Sequence, residues 1–267
     1  MWCAIVAIIL YLSSILCISP ILLKTQLNEK SKTNKNLFFL TALIAIIFHF
    51  LSLNSLFSQL FTESPFSLAE IGSLISLIMA FLATVAMYFK VKTLWLLIPI
   101  VYCFAVINLI LQTVLATNIN SLLVQDIGLF IHVGLALFAY ALCFMTMLYA
   151  IQLFWLDRNL KRKKLSFSPV IPPLMTVERH FFRLMITGEF LLTLALISGC
   201  IYFPNFMEEQ NIQKATFSFL AWLVFAFALA GHWKLNWRGK KMIIYSISAM
   251  ILLTIAYFGS RMMFEVV

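Results

Sequence analysis

The chain has 267 residues, of which 63% are hydrophobic and only 11% charged, with 19 Lys and Arg against 10 Asp and Glu for a formal net charge of +9. A soluble domain carries about 25% charged residues, so this composition excludes one and indicates an integral membrane protein. The positive balance is explained below by membrane topology and calls for no nucleic acid.

Eight long apolar stretches follow one another: residues 2–23, 37–57, 68–89, 94–116, 127–156, 181–203, 215–231 and 242–264. Most are near the roughly 20 residues that a helix needs to cross about 30 Å of hydrocarbon. They are too long and too uniformly apolar for barrel strands, so the expected fold is all-α, a polytopic membrane bundle of eight transmembrane helices. The first stretch has no basic residue ahead of it and is followed by Lys24, Lys30, Lys32 and Lys35. That flank order suits a retained helix rather than a cleaved signal peptide.

The loops alternate in charge. Lys and Arg number four in residues 24–36, two in 90–93, seven in 157–183 and four in 232–241, while the other loops hold only Lys214, with Arg261 near the end of the last span. Glu63, Glu70, Asp126, Glu208, Glu209 and Glu265 lie on the opposite side. By the positive-inside rule the basic loops face the cytoplasm and both termini face outward. The run Lys161–Lys164 is a topology determinant that can also touch anionic lipid or a cytoplasmic partner. The proline-rich stretch SPVIPPLM, residues 168–175, reads as a hinge in a single domain, 1–267, between possible sub-bundles 1–156 and 181–264 joined by the loop 157–180.

Five cysteines are scattered over five spans without CxxC spacing, which favours packing over thiol chemistry. No Walker loop, Gly-rich dinucleotide turn, HExxH or GxSxG occurs, so nothing suggests a nucleotide-driven or hydrolytic enzyme, and the expectation is a protein that is not an enzyme. Chemistry is left to polar residues within the spans, where ionisable groups default to functional hypotheses. His49 lies eight residues from the outer end of the second span, roughly 12 Å deep at 1.5 Å per residue. His132 lies five residues inside the fifth, roughly 7 to 8 Å deep by the same rise. Both therefore occupy the outer half of the membrane.

Two imidazoles at one depth on different helices are what a six-coordinate haem iron requires. From spacing alone the more ordinary reading is that each is a neutral polar staple to a neighbouring helix. Gly128, Ala136 and Ala139 share a helical face with His132, with Tyr140 beyond, and such a face admits either a flat group or another helix. His180, between Arg179 and Arg183, reads as interfacial. His232, followed by Trp233, Trp237 and Arg238, reads as part of an interfacial belt or as an inner ligand with no obvious partner. Arg261 suits an ion pair with Glu70 or Asp126, or an anionic group such as a haem propionate. Glu189 stands near mid-depth in the sixth span, and Asn108 and Gln112 in the fourth read as interhelical glue.

The stretch PPLMTVERHFFRLMITGEFLLTLALISG, residues 172–199, resembles the Pro-Leu-x-x-Leu-Glu and Gly-Phe-x-Leu-Leu-Thr-Leu-x-x-x-x-Gly pattern of the cytochrome c assembly protein family, bacterial and plastid membrane proteins that handle haem. HVGLALFAYALCFMTMLYAIQLFWL from His132, AWLVFAF from Ala221, HWKLNWRGKK from His232, AYFGSR ending at Arg261 and LLIPIVYCFAVINLI at 96–110 extend the likeness to the short eight-span, HemX-like branch. The resemblance implies haem binding, with His49, His132 and His232 at positions where that branch carries histidines. Members that present haem to apocytochrome c carry a Trp-rich outer loop, WGxWWxWD, before the seventh span. Here residues 205–222 hold no tryptophan until Trp222.

The expectation is therefore a multi-pass protein of the bacterial inner membrane that binds haem b non-covalently through His49 and His132, with Arg261 and His232 as further haem-contact candidates, in cytochrome c assembly or haem trafficking. Two alternatives stay open. One is a HemX-like accessory subunit acting on tetrapyrrole synthesis through a protein partner at the 157–180 loop. The other is a small-solute or ion permease built on Asn108, Gln112, Glu189 and Arg261.

Overall fold

A computed structural model describes residues 2–26, 35–54, 68–89, 91–114, 127–162, 172–202 and 209–259. Among these residues every regular element is helical: α1 Trp2–Gln26, α2 Lys35–Ser52, α3 Leu68–Tyr88, a 3-10 turn Lys92–Leu96, α4 Ile98–Val114, α5 Ile127–Lys161, α6 Leu174–Tyr202, α7 Glu209–Leu235, α8 Lys240–Thr254 and a π-helical turn Ile255–Gly259. Six of the helices are long and apolar enough to cross a membrane by length and composition, and α2 and α4 are shorter apolar helices.

Helix ends depart from the apolar stretches in a consistent way. Helix α5 runs on through Asp157, Arg158 and Lys161, α6 begins seven residues before Phe181, and α7 begins at Glu209 rather than Ala215. Hydropathy marks where lipid can touch a chain, whereas backbone bonding continues into the headgroup region, so the 35 residues of α5 reach roughly 52 Å, far beyond the hydrocarbon. Two boundaries fall inside the apolar stretches. Helix α2 stops at Ser52, where Ser52 Oγ bonds the His49 carbonyl at 2.6 Å and the Leu53 N–H turns to the Phe50 carbonyl at 3.1 Å. The fourth stretch is not one helix from Leu94, because Pro99 lacks an N–H and fits only the first turn of α4, behind the 3-10 turn.

The helices fall into two compact units, Met1–Leu123 with Arg162–Pro173, and Val124–Lys161 with Leu174–Val267. This grouping differs from the split expected at the prolines, since α5 belongs with α6, α7 and α8. Small residues explain the pairing: Gly128 lies against the Tyr202 ring, and a Cβ on Gly188 would stand 3.2 Å from Cys143 Sγ, so α5 and α6 approach closely along their length.

In the first unit α1 packs on α2 and α4, and α3 packs on the same two helices. Tyr11 meets His49 while Ser14 meets Thr41, and Gly72 meets Asn108 while Thr84 meets Tyr102, so neighbours in sequence run antiparallel. The inward residues of α1 are Ala4, Ala7, Tyr11, Ser14 and Ile18, and those of α2 are Phe38, Ala42, Ala45 and His49. Alternating steps of three and four bring one stripe of each helix to its partner. Leu12, Leu16, Leu40, Leu43 and Phe81 face outward and are exposed, which suits lipid and would be unfavourable in water.

The second unit repeats the plan. Helix α5 packs on α6 and α8, and α7 on α6 and α8, again with antiparallel neighbours: His132 meets Ser198 and Tyr149 meets His180, while Thr193 meets Trp222 and Phe182 meets His232. The tight connection from α7 to α8 uses left-handed backbone at Asn236 (φ 50°) and Gly239 (φ 59°), the residue types that tolerate it best.

Candidate functional site

His132 sits one and a half turns into α5, against the last third of α6. Its Nδ1 is 2.9 Å from the Ala195 carbonyl oxygen and 3.1 Å from Ser198 Oγ, and Ser198 Oγ donates to the same carbonyl at 2.9 Å. A carbonyl oxygen only accepts, so the ring hydrogen is on Nδ1 and the lone pair is on Nε2. The imidazole can lie this close because residue 199 is glycine; a Cβ there would stand 2.9 Å from His132 Cε1 and 3.3 Å from Nδ1. A histidine whose one nitrogen is committed to a backbone carbonyl has its tautomer and ring plane fixed, as metal-ligating histidines do.

His49 is fully buried within the first unit and is held from both sides. Its Nδ1 is 3.1 Å from Tyr11 Oη and its Nε2 is 3.0 Å from Ser73 Oγ. Hydroxyls can donate or accept, so either tautomer satisfies the ring. The side chain thus ties α1, α2 and α3 together. Tyr11 meets the imidazole edge-on at 87° and leans on Tyr102 with ring centroids 5.0 Å apart, and Tyr102 Oη is 2.8 Å from Thr84 Oγ1. As an iron ligand His49 would have to exchange Tyr11 or Ser73 for the metal.

His232 has Nδ1 3.0 Å from the Trp237 carbonyl, which again places the hydrogen on Nδ1, and its ring stacks on Phe182 with centroids 3.5 Å apart. These contacts close the C-terminal end of α7. Trp237 stacks on Tyr245 at 5.5 Å under the Lys241 ammonium, and Arg238 reaches Glu178 at 3.3 Å. Trp237 and Arg238, two of the three residues read from the sequence as an interfacial belt, take part in this cluster, and Trp233 is exposed. His180 lies 6.3 Å from the Tyr149 ring. Arg261 and Asp126 lie outside the described residues, so the pairings expected for Arg261 do too.

Gln112 donates to the Ser52 carbonyl at 3.2 Å and bridges α4 to α2, while Asn108 bonds back to Phe104 at 2.8 Å and lies over Gly72. Of the small residues on the His132 face, Gly128 receives a ring of the neighbouring helix and not a flat ligand, and Ala136 and Ala139 are buried. All five cysteines are free thiols. Among the described residues no three of His, Cys, Asp and Glu converge as a metal-binding set. Haem asks only for axial ligands, which His132 can supply.

The residue patterns that carry the His132 site span α5 and α6, and the family described as Cytochrome C assembly protein matches residues 2–267. The chain belongs to the cytochrome c assembly protein family. This member is 36% identical over 265 residues to the inner membrane protein YpjD of Escherichia coli strain K12, covering 99% of the present chain and 98% of the relative. The YpjD proteins of strains O6:H1 and O157:H7 match to the same extent. No solved structure matches. Family membership was legible from the strings in α5 to α8. The groups that orient the histidines, Tyr11, Ser73, Ala195, Ser198 and Gly199, were not singled out by sequence reasoning, although Ala195, Ser198 and Gly199 lie inside the most family-like stretch.

Proposed function

We propose that the chain is an eight-span protein of the bacterial inner membrane, both termini outside, that binds haem b non-covalently in its outer half and serves cytochrome c assembly or haem trafficking without being an enzyme. The observation that carries this reading is the Nδ1–H of His132 committed to the Ala195 carbonyl, which fixes the tautomer and ring plane as the second partner of a ligating histidine does; Nε2 would be the nitrogen that meets iron. His49, in the first unit, is the other ligand candidate read from the sequence; there Tyr11 at Nδ1 would orient the ring and Nε2 would have to give up Ser73 to hold iron. The iron of bound haem supplies redox and ligand-exchange chemistry. The residues of the chain orient the imidazoles, keep the ring hydrogens in place and surround them with apolar side chains. Membership of the family and the name of the relatives support the location and the role.

Haem content of the purified, detergent-solubilised protein tests this. A sharp Soret band in the native chain, lost in His132→Ala and in His49→Ala, is the expected result. A chain that takes up no haem when haemin is supplied, or a band indifferent to both substitutions, overturns it. A second reading is supported by α5, which carries exposed Arg158 and Lys161 beyond its apolar part. It is an accessory subunit whose 157–180 loop engages a cytoplasmic enzyme of tetrapyrrole synthesis. Co-purification of such an enzyme with a colourless protein, abolished by neutralising Lys161, Arg162, Lys163 and Lys164, would favour it over haem binding.

A further inference from the structure

Halfway along α6 a carboxyl group stands where a spanning helix seldom carries one. Glu189 is buried, with 8% of its surface exposed, and neither of its carboxyl oxygens has a hydrogen-bond partner among the described residues. No cationic side chain among them pairs with it. Its surroundings come from the same unit. On α5, Cys143 is buried beside the preceding Gly188, and Tyr140 lies one turn away. On α7, the Trp222 indole donates at 2.8 Å to Thr193, whose hydroxyl is already bonded to the Glu189 carbonyl. On α8 and the π turn, Thr254 is 3.1 Å from Tyr140 Oη and Tyr257 stands 5.1 Å from the Tyr140 ring. The titratable groups facing this region are thus a thiol and two phenols, none of them a cation at any working pH.

A carboxyl group at such a place can be accommodated in three ways: by a cationic partner, by a metal ion or by a proton. The first is absent among the described residues. A metal ion of the alkali or alkaline-earth type needs several oxygen ligands, and the described neighbours offer none within hydrogen-bond reach of the carboxyl. A proton needs one oxygen and nothing else. We propose that Glu189 is a proton-binding site in the middle of the second unit, its carboxyl neutral at rest and screened from water by its burial. The π turn that brings Tyr257 onto Tyr140 is a wider turn of the kind often found beside functional groups. The proposal is independent of haem, since Glu189 belongs to neither histidine's contacts.

The full-length protein in lipid vesicles at neutral pH tests it in two ways. Infrared spectroscopy should show the C=O stretch of a protonated carboxylic acid, and that band should be lost in Glu189→Gln, a change that keeps the volume. Dicyclohexylcarbodiimide adds to a protonated carboxyl and rearranges to an N-acylurea with no leaving group. Peptide mapping of the unsubstituted protein should find that adduct on Glu189, and a water-soluble carbodiimide should leave Glu189 unmodified. This second measurement stands even where the variant fails to fold. Absence of both the band and the adduct overturns the proposal, as does equal modification of Glu189 by the water-soluble reagent.

Discussion

Adding one methyl group at position 199 should separate haem binding from folding. In the native chain a Cβ at Gly199 would stand 2.9 Å from His132 Cε1, closer than such carbons sit, and 3.3 Å from Nδ1, a tight contact, with the imidazole pinned to the Ala195 carbonyl at 2.9 Å. Gly199→Ala therefore pushes the ring off α6 and breaks or lengthens the bond that fixes its tautomer. Loss of such an outer-shell partner typically lowers metal affinity about 10- to 100-fold, about 1.4 to 2.7 kcal/mol. Overpacking of the α5–α6 contact adds a stability loss of about 1 to 3 kcal/mol. Gly134 is the control, because a Cβ there meets nothing within 4 Å. Haemin titration followed at the Soret maximum should show weaker binding for Gly199→Ala and native affinity for Gly134→Ala. Equal affinities for native and Gly199→Ala protein, with both folded, would refute the assignment of His132 as a ligand oriented by α6.

Other expectations follow from the same contacts. Tyr11→Phe removes one partner of a fully buried imidazole and should lower stability by about 0.5 to 1.5 kcal/mol in a denaturation titration in mixed micelles. An unchanged midpoint would show that the Tyr11–His49 bond contributes nothing. Haem affinity should fall as pH is lowered, because a proton on Nε2 occupies the lone pair that iron needs; affinity that rises or stays constant toward acid would contradict imidazole ligation. Single cysteines placed in the loop 157–180 of a chain freed of its native cysteines should be shielded in intact cells from an impermeant maleimide, and cysteines placed at either terminus should react. The reverse pattern would invert the orientation read from the basic loops.

Helix existence was legible because lipid demands long apolar runs, and all eight stretches correspond to a helix. Helix ends were not, because charged residues such as Arg158 and Lys161 end the hydrocarbon contact without ending the backbone bonding of α5. Packing faces were also hidden. In α1 the outward Leu12 and the inward Ile18 are both apolar, so hydropathy does not separate lipid from protein, and only small or polar residues such as Ala4, Ala7 and Ser14 mark the inner stripe. The histidines stood out by chemistry alone. Their partners did not, since a backbone carbonyl at Ala195 or a hydroxyl at Ser73 carries no sequence signal until two helices meet. The proline-rich stretch suggested a division after the fifth span; the glycines facing α5 and α6 brought those two helices together instead.

The central claim is that His132 Nε2 binds the iron of haem, and chemical rescue tests it most directly. His132→Gly leaves room for a free imidazole where the side chain stood. The account predicts that the variant's absorbance spectrum loses the native Soret band and that added imidazole restores it. A His132→Gly spectrum identical to that of the native protein before any imidazole is added would contradict it.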